Sequence, residues 1–292
     1  MTMRHIGWIS LLAAACLTAC SSEDEPVTKE AQRPMTVDVA EHPIVDAGGT
    51  SGSGTNRAAA VTTTATLSSF SMNYQGNPYN YTKTGSGWST YSWPSSVRNS
   101  EKIDFYAYTR GTFNYNSGNP YVAFAVESEP ANQHDLLVAE HRQIAYNDAG
   151  GHVSLAFDHA CAAVVLNVEL TNTLRDKLGK DLTVHSIVLK NVNNKGDYYY
   201  ATKSWSNLDG TDDYTLTNSA ITVSTTPQQL SCGYLFMIPQ KHAANNTDGT
   251  YLEINYTTTS EPKRTDLALD IDWEAGKCYT TTIRLGTSLI EV

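Results

Sequence analysis

The sequence predicts an all-β protein of the sandwich type. Three observations predict it. Thr, Ser, Tyr, Asn and Gly dominate, with 17 tyrosines and only 17% charged residues, a composition suited to pleated, half-buried surfaces. Apolar residues recur at period two in run after run, which puts one apolar face on each strand. Turn-forming clusters separate the runs. Strands with one apolar face must bury it against a second sheet, which makes a β-sandwich.

The strands follow in order. Met35, Val37 and Val39 alternate with Thr36 and Asp38 in a short first strand. Ile103, Phe105 and Ala107 share one face of another. Val164, Leu166, Val168 and Leu170 alternate with Val165, Asn167 and Glu169. Leu252, Ile254 and Tyr256 alternate with Glu253, Asn255 and Thr257. Leu267, Leu269, Ile271 and Trp273 alternate with Ala268, Asp270 and Asp272, and Tyr279, Thr281, Ile283 and Leu285 repeat the pattern. Turns are expected at Asn116–Pro120, Asn193–Gly196 and Asn245–Gly249. Only Thr173 to Leu178 suggests a helix, and a short one.

The N-terminus reads as an address. Arg4 precedes an apolar run from Ile6 to Ala19, too short to span a bilayer, which takes about 20 residues, but suited to a signal peptide. Leu17-Thr18-Ala19-Cys20 resembles the lipobox of bacterial lipoproteins, which implies cleavage before Cys20 and a lipid on its thiol. Acyl chains hold a protein on a membrane through about 0.8 kcal/mol per buried CH₂. The alternative is an ordinary secretory signal with a chance cysteine. Ser21-Ser22-Glu23-Asp24-Glu25 resembles a surface-export signal, or else is a solvated linker. Residues 20–34 are then an acidic tether. After the first strand comes a loop rich in Gly, Ser and Thr, from Ala47 to Asn56, ending at Arg57. Such a composition is flexible and open to proteases.

Charge and cysteine content exclude several classes. The net charge is −10, and losing the leader removes Arg4 and no acid. Without clustered Lys and Arg the chain is a poor nucleic-acid binder. Cys161, Cys232 and Cys278 remain inside the mature chain with no CxxC pair, so neither a disulfide scaffold nor a zinc ribbon is expected. The three read as small buried hydrophobes.

A series of motifs carries a resemblance. After the lipobox and the first strand come Asn56-Arg57-Ala58 and Asp135-Leu136-Leu137-Val138-Ala139. Val153-x-Leu155-x-Phe157-x-His159-Ala160-Cys161-Ala162 follows, then Leu235-Phe236-Met237-Ile238-Pro239-Gln240 and Trp273-x-x-Gly276-Lys277-x-Tyr279 before a final strand. In this order they resemble the fimbrillin family, the subunits of type V pili in Bacteroides-lineage anaerobes.

The resemblance implies two tandem transthyretin-like (Greek-key) β-sandwich domains, at residues 35–155 and 156–292. It implies an outer-membrane, surface-exposed lipoprotein anchored through Cys20. A trypsin-like, Arg-specific protease would cut after Arg57, with Arg33 as the weaker site. The displaced strand would be Met35, Val37 and Val39. A strand from another fimbrial subunit would then fill the vacated groove by β-augmentation, and the mature protein would sit in a fimbrium. Tyr279, Thr281, Ile283 and Leu285 are the candidate donor strand, unless they only close their own sandwich. The competing reading is a non-polymerising surface adhesin that binds a glycan or host protein.

No catalytic constellation is found: no HExxH, P-loop or GxSxG. An enzyme, a cofactor and a metal are not expected. Asp266, Asp270 and Asp272 would line one strand face, either as a carboxylate site or as a solvated surface. Asp209, Asp212 and Asp213 complete no EF-hand loop. Tyr198, Tyr199 and Tyr200 are either exposed platforms for sugars or sheet residues. Phe157, Trp273 and Tyr279 read as core, and His159 as a structural polar contact.

Overall fold

Alternation becomes strand, and the strands stack around two apolar clusters. The computed structural model describes residues 33–47, 66–116, 118–217, 219–242, 249–258 and 261–290. Strands β1 (Pro34–Glu41), β2 (Val45–Asp46), β3 (Ser69–Tyr74), β4 (Asn77–Thr84), β5 (Gly87–Trp88), β6 (Tyr91–Ser92), β7 (Ile103–Tyr108), β8 (Thr112–Asn114), β9 (Tyr121–Ala125), β10 (Leu137–Ile144) and β11 (His152–His159) come first. Then follow β12 (Ala162–Leu170), β13 (Leu182–Tyr199), β14 (Ser204–Thr217), β15 (Ile221–Val223), β16 (Gln228–Met237), β17 (Tyr251–Thr257), β18 (Pro262–Ala268) and β19 (Lys277–Leu285). The protein is all-β, as its alternation predicts.

Three sheets form. One has the order β5-β4-β3-β7-β10-β11-β1-β6, a second β16-β12-β19-β2 and a third β18-β17-β13-β9-β8, with β14 and β15 on β13. The first cluster gathers Met35, Phe70, Met72, Phe105, Leu155 and Phe157. The second gathers Val122, Val164, Leu189, Tyr214, Ile254 and Ile283. Strands β7 and β10 serve both: Phe105, Ala107, Leu137 and Ala139 face the first cluster, and Tyr106 and Val138 the second. The β8–β9 hairpin joins β13, so Val122 and Phe124 lie in the second cluster although they precede β10.

The helix at Thr173–Leu178 is confirmed as Asn172–Leu178. The Thr171 hydroxyl accepts from the Leu174 amide (3.3 Å), which satisfies an otherwise orphan helix-start N–H. Gly179 at φ 67° ends the helix.

Two sequence expectations fail. Asn193–Gly196 makes no turn but lies inside β13, an 18-residue strand. The turn-formers there are spent on bulges, since the β13–β14 register shifts after Leu189 and again after Lys195. A Cβ on Gly196 would come within 2.8 Å of Leu208 Cδ2, the movable end of an exposed side chain. The strand through Leu267 also stops early, at Ala268. Leu269 and Trp273 remain buried beyond it, anchored partly by the Trp273 amide donating to the Gln240 carbonyl (2.9 Å). Of the expected turns, Asn116–Pro120 joins β8 to β9, while Asn245–Gly249 falls mostly outside the described residues.

Candidate functional site

The first strand occupies a distinctive place. β1 pairs in parallel with β11, from Thr36 opposite His152 to Glu41 opposite Phe157. On its other side it meets only β6, through Pro34 and Met35. Beyond Met35, therefore, no described strand pairs with that side of β1. Met35 is fully buried and Val37 nearly so, and both insert into the first cluster. The ladder is closed at its ends by Thr36 N–H to the Gly151 carbonyl (3.0 Å) and His42 N–H to the Phe157 carbonyl (2.9 Å). Gly151, at φ 84°, makes this approach feasible: a Cβ there would lie 2.1 Å from the Pro34 carbonyl oxygen.

At the far end of β1 the contacts become ionic. His159, at the end of β11, sits between two carboxylates. Its Nδ1 hydrogen-bonds Asp135 Oδ2, and its Nε2 lies 3.1 Å from Glu41 Oε1. The His159 side chain is 1% exposed, Asp135 is fully buried, and Glu41 is 14% exposed. Asp135 Oδ1 also accepts the Cys161 amide (3.2 Å). Burial pushes the His159 pKa down, but the hydrogen bonds and charges of Asp135 and then Glu41 outweigh it, and the ring is held above its ordinary value. Burial holds the Asp135 carboxyl above its own ordinary range despite His159. Carboxylate oxygens on both ring nitrogens call for two N–H donors, so the imidazolium form fits the geometry.

Next door the polarity is reversed. His42 Nδ1 lies 2.5 Å from Asp158 Oδ1, and Lys203 Nζ 2.9 Å from Asp158 Oδ2. Burial raises Asp158, but the hydrogen bonds from His42 and Lys203, with their charges, bring it below its usual range. Glu41 at the end of β1 and His42 just after it therefore meet His159 and Asp158 of β11. The sequence reading treated His159 as a structural contact, but missed both partners. A signal was present: an Asp opens one motif, and a His closes the strand of the next.

The segment after β1 reaches the second cluster. Ile44 packs against it, and β2 lies parallel to β19 at Lys277 and Cys278. The candidate donor residues are in β19, which is paired in parallel with β12 from Cys278 to Leu285. Ile283 and Leu285 are buried, while Tyr279 and Thr281 are half-exposed. Past Cys278, no described strand lies against the other side of β19. Cys20, Arg57 and the loop between Gly48 and Asn56 lie outside the described residues.

The remaining candidates are accounted for individually. Gln240, the last residue of the Leu235–Gln240 motif, binds the backbone on both sides of Asn193, accepting its amide (3.2 Å) and donating to its carbonyl (3.1 Å). Phe157 and Trp273 are core, and Tyr279 is half-exposed. Tyr198 and Tyr200 are buried, not exposed; Tyr200 donates to the Ala107 carbonyl (2.9 Å). They therefore offer no face to a sugar. Asp266, Asp270 and Asp272 do not share a strand face, because β18 ends before Asp270. Asp266 pairs with Arg264 (2.9 Å), and Asp272 accepts the His242 amide (2.9 Å). Asp213 is paired with Lys190. Cys161 and Cys278 are buried, as expected, while Cys232 is half-buried. Among the described residues, no three His, Cys, Asp or Glu side chains gather as metal ligands.

Comparison with known proteins supplies the family. No curated protein matches the chain by sequence. Solved structures do match in fold. A fimbrial protein from Bacteroides vulgatus aligns over 87% of this chain and 95% of its own, at 20% identity and a TM-score of 0.56. A candidate cell adhesion protein from Bacteroides ovatus aligns over 89% and 94%, at 13% identity and 0.53. Another, from Bacteroides eggerthii, covers 87% and 86%, at 13% and 0.52. The sequence profile of the fimbrillin-like family matches residues 50–292, and the chain therefore belongs to the fimbrillin-like family.

Proposed function

We propose that this chain is a structural subunit of a cell-surface fimbrium, exported as a lipoprotein on Cys20 and assembled by strand exchange after cleavage at Arg57. The supporting observation is the place of β1. It is a short strand with a two-residue cover on one side, buried through Met35 and Val37, and joined to Arg57 by a loop rich in glycine. Losing residues 34–57 would strip the open edge of β11 and the Lys277–Cys278 edge of β19 together. Unpaired backbone groups and a bared apolar slot make the emptied edge a strong acceptor for another strand. The partners are other fimbrial subunits, an Arg-specific protease and the outer membrane. The two domains are residues 35–155 and 156–292; two apolar clusters support the division into two, although Val122 and Phe124 join the second cluster and Phe157 the first.

The donor is the stretch from Tyr279 onward. Its eight-residue ladder with β12 and the burial of Ile283 and Leu285 favour a version in which β19 keeps closing its own sandwich and the residues after Leu285 are handed on. The adhesin reading keeps only the half-exposed Tyr199 of its tyrosine platform, since Tyr198 and Tyr200 are buried.

The test is to treat the purified full chain with a trypsin-like protease. Ladders on gels and filaments by microscopy are expected, and Arg57→Ala should abolish both. A clean cut at Arg57 that leaves only monomers would end the strand-exchange reading.

A further inference from the structure

The slot held by β1 has apolar pockets along its length and an ionic one at its end. Any strand that takes over the slot must fill both kinds. Met35, Val37 and Val39 use the apolar part. Glu41, in the same alternating frame, uses the ionic part, 3.1 Å from His159. With β1 gone, His159 keeps Asp135 on Nδ1 but has lost Glu41 from Nε2. An apolar residue at that place would bury the Nε2 N–H without an acceptor, which is costly. A lysine would set a second cation beside an imidazolium.

We propose that His159, braced by Asp135, is a carboxylate-selecting socket, so that the strand replacing β1 must bring a glutamate to the place of Glu41. This rests on the strand-exchange reading above and adds the chemical identity of the partner. The required frame is alternating residues that fill the apolar part and then a glutamate. Met35, Val37, Val39 and Glu41 have it, and the stretch after Leu285 carries the end of the frame again at Thr287, Leu289 and Glu291, while Leu285 itself stays in its own core. The occupant is therefore the C-terminal stretch of a second copy, in the register that sets Glu291 on His159. Asp158, with Lys203 already on its other oxygen, faces the residue after the glutamate. It helps to hold His42 in the uncut chain and has no matching histidine in the second copy, where Val292 follows.

The closing experiment varies the strand, so the folding of the protein is not at issue. Full chain cut after Arg57 is mixed with labelled peptides spanning residues 34–44 or 283–292, each also with Gln or Lys in place of Glu41 or Glu291, and retention is measured. Both glutamate peptides should be retained, the Gln versions about tenfold less, and the Lys versions less again. Equal retention of the Glu and Gln peptides overturns the socket and leaves strand exchange standing. Failure of every peptide to be retained overturns both. Retention of the 34–44 peptide alone overturns the second copy as occupant. In the uncut chain, Glu41→Gln should lower the melting temperature, and this loss should largely disappear in a His159→Asn background. An equal loss in both backgrounds shows that Glu41 acts without His159 and overturns the socket.

Discussion

The first and last described strands occupy matching places yet differ in what holds them. β1 lies parallel to β11 with the two-residue β6 on its outer side; β19 lies parallel to β12 with the two-residue β2 on its outer side. Each is thus almost an edge strand. The grip differs. β19 buries Cys278 on one face and Ile283 and Leu285 on the other, and keeps an eight-residue ladder to its neighbour. β1 buries Met35 and Val37 on a single face, and its far end is fastened by charges, Glu41 to His159 and His42 to Asp158. A strand buried on both faces is part of a core. A strand held by one apolar face and a charged end is the one that, under the strand-exchange proposal, another strand of the same pattern would replace.

The sharpest way to break this comparison is Leu285→Ala. It should cost about 2–5 kcal/mol of stability by denaturant titration, and the same in the uncut chain and in the chain freed of residues 34–57. Met35→Ala should cost the uncut chain about 2–3 kcal/mol, near the low end of that range. An unchanged stability of the uncut chain would show that β1 is not held through its apolar face. Gly151→Ala comes third, at about 1–3 kcal/mol, because it combines a left-handed φ with a collision at the Pro34 carbonyl. Its effect should appear as faster hydrogen exchange in β1 while β19 is unchanged.

The smallest effect is a pH dependence of opposite sign at the two ionic contacts. His159 is held above its ordinary value of 6.5. Its contribution is complete below that value and is lost as pH rises through the raised one. Asp158 is held below its ordinary 3.8, so its contribution is present above that value and is lost as pH falls through the lowered one. Protection of β1 amides should therefore fall in mild alkali, and Glu41→Gln should flatten that fall. Amides of β19 should not follow it.

Much of the fold was legible because period-two alternation is a direct imprint of a buried face. Ile103, Phe105 and Ala107, and Leu252, Ile254 and Tyr256, are buried as their spacing predicts. The alternation of Leu267 to Trp273 misled because burial continued after the strand had ended: Leu269 and Trp273 are buried from irregular backbone. Asn193–Gly196 misled because asparagine and glycine serve bulges as readily as turns, and only pairing with β14 decides between them. The ionic socket was legible only in parts. Asp135 and His159 stand 24 residues apart and meet through the pairing of Leu137 with His159, while Glu41 arrives from 118 residues away. No local pattern encodes such a meeting.

N-terminal sequencing of the protein as it stands on the cell surface tests the central claim most directly, because it reads the tether and the cut together. The account predicts a mature chain beginning at Ala58, with β1 and the lipid on Cys20 gone. A surface form that still begins at a lipidated Cys20 would contradict it and leave β1 a permanent part of the fold.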